Sequence, residues 1–356
     1  MEGPLSVATF MMEALGHPRY GYYMTADRFG AAGDFVTAPE ISQMFGELIG
    51  LWCADYWERL GRPDPLLLVE LGPGRGTLMA DALRAVSQVL PDFVAAVRIH
   101  LVETSPLLCL RQAAALAPYM KLVRCAPAWH DRLADVPEAQ PLLVIANEFF
   151  DALPVRQFQR GERGWSERLI DLDPETEALR FVLGQPGGPS TLIIPPRLRQ
   201  GAIAIGTVID ISPTGQSIAL ELGRRLVAST GAALIIDYGH AALVPTDTLQ
   251  AVRRHAPVPV LSEPGETDIT AHVDFAALAA SAAEAGAIVH GPVAQGTFLR
   301  SLGIEHRAAT LCRDATKAQA ADIDAALHRL TANDAMGDLF KVMALIGPGQ
   351  PVPVGF

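Results

Sequence analysis

Leu66-Leu67-Leu68-Val69-Glu70-Leu71-Gly72-Pro73-Gly74-Arg75-Gly76-Thr77 is the stretch that decides the fold. An apolar run of strand length ends in an acidic residue. Three glycines then alternate before a segment with helical spacing. Such glycines permit a tight strand-to-helix turn and let a ligand approach the backbone closely, and the helix start offers free N–H groups there. No Gly-Lys-Ser/Thr follows, so this is not a Walker loop, and Thr77 stands where a nicotinamide fingerprint needs glycine. An acidic side chain before the first glycine suits a cationic amino-acid end better than a pyrophosphate. Glu70, Gly72, Gly74 and Gly76 are therefore candidate cofactor-binding residues. A glycine-rich turn without a ligand is the plainer alternative, and it accounts for fewer of these features together.

Outward from this motif, short apolar runs alternate with helical segments. Strands are expected at 66–70, 98–102, 121–124, 142–146 and 231–237, and helices at 77–89 and 106–116. Continuous apolar strands separated by helices imply a parallel sheet covered on both faces. The last two strands are expected at 287–290 and 339–346. The fold class is thus α/β, Rossmann-like, with a seven-stranded, mostly parallel sheet and a final antiparallel strand. Alternating glycines after an apolar strand and a glutamate are the usual form in class I methyltransferases, so S-adenosyl-L-methionine is the expected cofactor.

Two additions surround this core. Val7, Phe10, Met11 and Ala14 have helical spacing, and a second helix spans about 41–60 before Gly61. From 155 to 209 the pattern turns antiparallel, with strands near 156–158, 168–171 and 179–182 and a breaker at Gln185-Pro186-Gly187-Gly188-Pro189. The organisation reads as a covering segment over 1–61, the first half of the core over 62–154, an antiparallel insertion over 155–210 and the second half over 211–356. A long irregular stretch from Tyr238 to about Thr270 reads as functional. Asp274 is expected to cap a helix ending near Gly286.

Composition narrows the class of function. Half of the 356 residues are apolar, 19% are charged, and the formal net charge is −11. That supports a large core and carries no basic footprint for nucleic acid. Cys53, Cys109, Cys125 and Cys312 form no CxxC pair, so neither a zinc nor a redox motif is expected. No apolar run reaches the roughly 18 residues of a membrane span, and the N-terminus has no signal-peptide pattern. The expectation is a cytoplasmic protein of bacterial type, with no nucleic-acid partner and no membrane insertion.

Two further elements carry chemistry. Glu103, at the end of the second strand in Val102-Glu103-Thr104-Ser105-Pro106, has the position from which an acidic residue holds a ribose diol. Trp129 and His130 follow the third strand, where an adenine edge is often contacted, which makes Trp129 a further candidate. Asn147-Glu148-Phe149-Phe150-Asp151-Ala152-Leu153-Pro154 follows the fourth strand and brings two carboxylates and an amide beside the cofactor. If the acceptor is a guanidinium, carboxylates can grip it, aim one nitrogen and favour loss of its proton. Asn147, Glu148 and Asp151 are the candidate catalytic residues, with Asn147 also a candidate cofactor contact. Asp268, His272 and Asp274 suggest a metal only by spacing, and no metal is expected. Tyr238-Gly239-His240 suits an acceptor-pocket lining or a strand-end turn equally. No GxSxG elbow is present.

The sequence resembles the MidA-type methyltransferases, which include the mitochondrial assembly factor for respiratory complex I. The resemblance spans nearly the whole chain: 17–23 with Gly21-Tyr22-Tyr23, 33–42 with Gly33-Asp34-Phe35, 70–78, 146–154, 264–275 with Pro264-Gly265-Glu266-Thr267-Asp268, Thr297-Phe298-Leu299, and 336–342. It implies symmetric arginine methylation of a protein, with a core subunit of complex I as the mitochondrial substrate. A cofactor-binding assembly chaperone without turnover and a small-molecule methyltransferase are the alternatives. The acidic loop after the fourth strand opposes the first. The N-terminal segment and the insertion, expected to be large enough to cradle a polypeptide, oppose the second.

Overall fold

The computed structural model describes residues 3–25, 37–242 and 244–356. The central sheet is built from β1 (Leu66–Leu71), β2 (Val97–Val102), β3 (Ala128–His130), β4 (Leu142–Asn147), β5 (Gly231–His240), β6 (Ile288–Ala294) and β7 (Phe340–Ile346), in the order β6-β7-β5-β4-β1-β2-β3. β7 runs antiparallel to β5 and β6, and the remaining pairs are parallel. A short strand, Val273–Asp274, adds beside the end of β5. This is a Rossmann-like α/β sheet, mostly parallel with one antiparallel strand.

Every residue of β1 is buried because both sheet faces are covered. Leu66 and Leu68 enter one core with helices α1 (Gln43–Arg59) and α2 (Thr77–Val89). Leu67, Val69 and Leu71 enter the other with α3 (Pro213–Ala228) and α4 (Phe275–Glu284). The α1–α2 pair is unusually close. A Cβ on Gly46 would lie 2.7 Å from Asp81 Cβ, and one on Gly50 would lie 2.6 Å from Ala82 Cα.

Several boundaries differ from expectation. Residues 121–124 form turns, and the third strand is Ala128–His130 instead. It sits at the sheet edge, where three residues paired to one neighbour need no apolar run. The helix expected over 41–60 is split, because Ser42 is extended and its hydroxyl caps α1 by accepting from Met44 N at 3.2 Å. The sixth strand continues to Ala294 through a bulge between His290 and Val293.

The antiparallel region does not stand apart from the N-terminus. Arg156–Gly161, Gly164–Leu172, Leu179–Leu183 and Val208–Ile211 form one sheet, and Leu5–Ser6 adds to it beside Gly164–Leu172. The following helix, Val7–Gly16, buries Val7, Phe10, Met11, Ala14 and Leu15 against Val155, Ile170, Ala251 and Ile269. The stretch 238–270 is also less irregular than its sequence. Gln250–Arg253, Ala256–Val258 and Asp268–Thr270 form a small antiparallel sheet. Its first hairpin turns at Arg254 and His255, both at positive φ. Turns of that kind usually announce themselves by Asn-Gly or Asp-Gly, which hides this one. Among the described residues no helix is long and apolar enough to cross a membrane.

Candidate active site

A cavity of about 1190 Å³ opens over the carboxyl ends of β1, β2, β4 and β5, where α/β sheets bind ligands. It exceeds the roughly 300–1,000 Å³ of an ordinary small-molecule pocket, so it has room for more than one bound group. Glu70, Gly72, Gly74, Glu103, Asn147, Glu148 and Asp151 all line it.

At the β1 end the glycine loop turns through left-handed backbone. Gly72 has φ +61°, and a Cβ there would lie 2.9 Å from Phe149 Cδ2, so the loop after β4 presses on the loop after β1. Glu70 is buried, and its Oε2 has no hydrogen-bond partner. Burial pushes its carboxyl up to about 8. Glu103 is held from two sides, Oε1 accepting from Ser105 N at 2.8 Å and Oε2 from Gln112 Nε2 at 3.0 Å. Burial raises this carboxyl as well.

Two sequence candidates are not on the cavity wall. Trp129 turns its indole toward the helix Pro106–Leu116, where Nε1 donates to Gln112 Oε1 at 2.8 Å; the wall beyond β3 is instead Asp131, Arg132, Leu133 and Ala134. Gly76 caps α2, and its missing side chain admits Gln112, whose Cα would lie 3.1 Å from a Cβ. Gln112 is the residue that sequence reading missed here. Fully buried, it joins Trp129, Glu103 and the Gly74 carbonyl, to which Nε2 donates at 2.8 Å. A lone glutamine among the alanines and leucines of that helix is the only signal for it.

Beside β4 lie the candidate catalytic residues. Asn147 Nδ2 donates to Glu148 Oε1 at 3.2 Å, and Asn147 Oδ1 has no partner. Glu148 has φ +49° and also accepts from Ala38 N at 2.8 Å. Burial lifts its carboxyl to about 7, against the hydrogen bond from Ala38. Asp151 is buried with Oδ1 unpartnered. Burial lifts it to about 6, against a hydrogen bond from the Tyr238 hydroxyl.

This loop is pinned by a residue with no role assigned from sequence. Asp237, fully buried in β5, accepts through Oδ2 from the N–H groups of Phe149, Phe150 and Asp151 at 3.2, 2.9 and 3.2 Å. The signal was a carboxylate closing the apolar run of the fifth strand. Asp237→Ala leaves those buried donors without their acceptor, and a loss of about 3 kcal/mol in unfolding free energy is expected. A urea titration measures it.

The far wall comes from chain segments distant in sequence. Tyr23 Oη donates to Asp268 Oδ1 at 2.8 Å, and both line the cavity with Thr270 and His272. His272 Nδ1 lies 3.1 Å from His240 Nε2. Asp274 caps α4, accepting from Ala277 N at 3.1 Å. Among the described residues no group of three or more side chains is placed to hold a metal ion. Glu40 ties the stretch before α1 to the glycine loop, accepting from Thr77 Oγ1 at 2.5 Å and pairing with Arg75 Nη1 at 3.4 Å. Residues 33–36 of the Gly-Asp-Phe motif lie outside the described residues.

The insertion does not cradle this cavity. Among the described residues none from 155 to 210 lines it. Its strands bury Phe158, Trp165, Ile209 and Ile211 in a core of their own and Ile170 in the core shared with the N-terminal helix, and it braces the far wall from behind. Asp210 Oδ2 accepts from Thr248 N at 2.9 Å and Thr248 Oγ1 at 2.5 Å, and that hydroxyl accepts from His272 N at 3.0 Å.

A family model described as an S-adenosyl-L-methionine-dependent methyltransferase matches residues 48–293. The protein arginine methyltransferase NDUFAF7 of Danio rerio, named as mitochondrial, is 39% identical over 98% of this chain and 85% of its own length. The Homo sapiens protein of the same name is 39% identical over 86% of this chain and 71% of its own. A crystal structure of a Burkholderia thailandensis protein bound to S-adenosyl-homocysteine is similar with a TM-score of 0.84 at 29% identity, covering 99% of this chain and 90% of that one.

Proposed function

From the fact that this chain belongs to a family of S-adenosyl-L-methionine-dependent methyltransferases, we propose that it methylates arginine side chains of a protein substrate. The observation that carries the reading is Asp151, buried with an unpartnered Oδ1 beside Glu148 on the wall of the cavity that also holds Glu70. Two carboxyl groups drawn out of water and turned to a common space favour a planar cation with several donors, which is a guanidinium.

The residues present fit the cofactor. Glu70 Oε2 is a buried acceptor without a donor beside the glycine loop, which suits an ammonium group. Gly72 and Gly74 leave the backbone open to it, Glu103 suits the ribose diol, and the unpartnered Asn147 Oδ1 is a further acceptor on that wall. When bound, S-adenosyl-L-methionine supplies a methyl group on a cationic sulfur. Glu148 and Asp151 hold the guanidinium and fix the direction of one nitrogen. The arginine side chain exchanges one N–H proton for the methyl, and the carboxylate nearest that nitrogen receives the proton. Ala38 and Asn147 hold Glu148, the Tyr238 hydroxyl holds Asp151, and Asp237 fixes the loop that carries both.

A pH dependence follows. In the ligand-free protein Glu148 and Asp151 sit near 7 and 6, and only their charged forms hold a cation. As pH falls through these values they protonate and the grip weakens. kcat/KM for a peptide substrate should therefore rise between pH 5 and 8 and flatten above, since this parameter reports the free enzyme. A profile flat from pH 5 to 8 would count against the assignment.

The first protein to test is a core subunit of respiratory complex I, with symmetric dimethylarginine as the product. Mass spectrometry of arginine methylation in cells with and without this protein is the direct experiment. A site methylated only in its presence supports the reading, and identical arginine methylation overturns it. All four cysteines are unpaired, which suits a reducing compartment. We place the protein in the cytoplasm, in contrast to relatives named as mitochondrial, and cell fractionation checks this.

A further inference from the structure

Carboxylates deep in the cavity select an arginine side chain and do nothing to choose among arginines. The mouth has a different chemistry. Met12 lies on the outer face of the helix Val7–Gly16, off the stripe that Met11 and Leu15 bury, and is 54% exposed. Leu339 ends the short helix Met336–Leu339 and is 47% exposed, while Phe340 beside it is buried. Both line the cavity. Leu15, Met24, Ile218 and Met336 add further apolar side chains to the same lining.

Ligand cavities are lined mostly by apolar side chains, and Met12 and Leu339 are lining residues that remain about half exposed, so an occupant can still cover them. Methionines add adaptability, since an unbranched thioether refits to differing partners. Charge complementarity fixes the centre of the occupant as a cation, and the rim fixes its flanks as apolar.

We propose that the preferred substrate is an extended peptide segment whose target arginine is flanked by large hydrophobic residues, seated on Met12 and Leu339. This rests on the arginine reading above and adds to it the feature that distinguishes one arginine from another. Glycine-rich flanks offer nothing for the rim to cover. Acidic flanks meet the carboxylates of the cavity unfavourably.

The test uses the full-length protein and synthetic peptides with one central arginine and flanks of Leu/Phe, Gly/Ser, Lys or Glu. The Leu/Phe peptide should show a kcat/KM about tenfold above the Gly/Ser peptide, the scale of discrimination that apolar contacts supply. Met12→Glu and Leu339→Glu should erase that preference. They should leave the Gly/Ser peptide's rate and the affinity for S-adenosyl-homocysteine unchanged. Equal rates for Leu/Phe and Gly/Ser flanks, a preference for Lys or Glu flanks, or variants that slow all peptides alike would overturn the proposal while leaving arginine transfer standing. Absence of transfer to every arginine peptide, with the cofactor still bound, would instead overturn the arginine reading and this proposal with it.

Discussion

Glu148→Gln and Asp151→Asn should each reduce methyl transfer by about a hundredfold or more, the usual cost of removing one preorganised electrostatic contact, while S-adenosyl-homocysteine still binds. A glutamine at 148 keeps an oxygen to accept from Ala38 and Asn147, so the loop stays in place and only the charge is lost. An asparagine at 151 keeps an acceptor for Tyr238. Neither change creates a cavity, and each removes a carboxyl that burial penalises, so folding should not suffer. The measurement is single-turnover transfer of labelled methyl to an arginine peptide, beside calorimetry of S-adenosyl-homocysteine binding. Full transfer by both variants would show that the arginine-grip mechanism is wrong. A parent protein that binds the cofactor and labels no protein in any extract would favour the assembly-chaperone alternative. Label confined to the low-mass fraction would favour a small-molecule acceptor.

The second large effect is expected at Gly74. Its φ of +55° lies in the left-handed region, which a β-branched residue enters only under strain. Its backbone also lines the cavity, and its carbonyl accepts from Gln112 Nε2 at 2.8 Å. Gly74→Val therefore strains the turn and sets a branched side chain where a ligand approaches. Affinity for S-adenosyl-homocysteine should fall about a hundredfold or more, from backbone strain of about 1–3 kcal/mol joined by direct obstruction. The circular dichroism spectrum should stay that of the parent, because β1 and α2 keep their own packing. Unchanged affinity would mean that the loop is structural only.

What was legible in the sequence was local. The strand, the glutamate and the alternating glycines at 66–77 lie within one turn-forming segment, and Glu103 and Asn147 each close a strand whose apolar run announces its end. What stayed hidden depends on pairs far apart. Tyr23 and Asp268 are 245 residues apart and meet through a hydrogen bond. Asp237 and the loop it pins are separated by more than eighty residues. The sequence makes Trp129 a candidate on the cofactor wall, whereas in the structure its indole turns to Gln112, and a three-residue strand gives no pattern from which to read that facing. The insertion was legible as antiparallel, but its bracing position depends on contacts such as Asp210 with Thr248 that no periodicity encodes.

The tight seam between α1 and α2 makes tolerance to change uneven along the chain. Alanine is the mildest replacement for a helical glycine and ordinarily favours the helix. At Gly50 it would have to enter space held by the backbone of Ala82, and at Gly46 that held by Asp81. The helices would have to part, and α2 is the helix that starts at the glycine loop. A damaging substitution in α1 can therefore present as poor cofactor retention although the altered residue touches no ligand. Variant surveys that score harm by distance from the cavity will misjudge these two glycines.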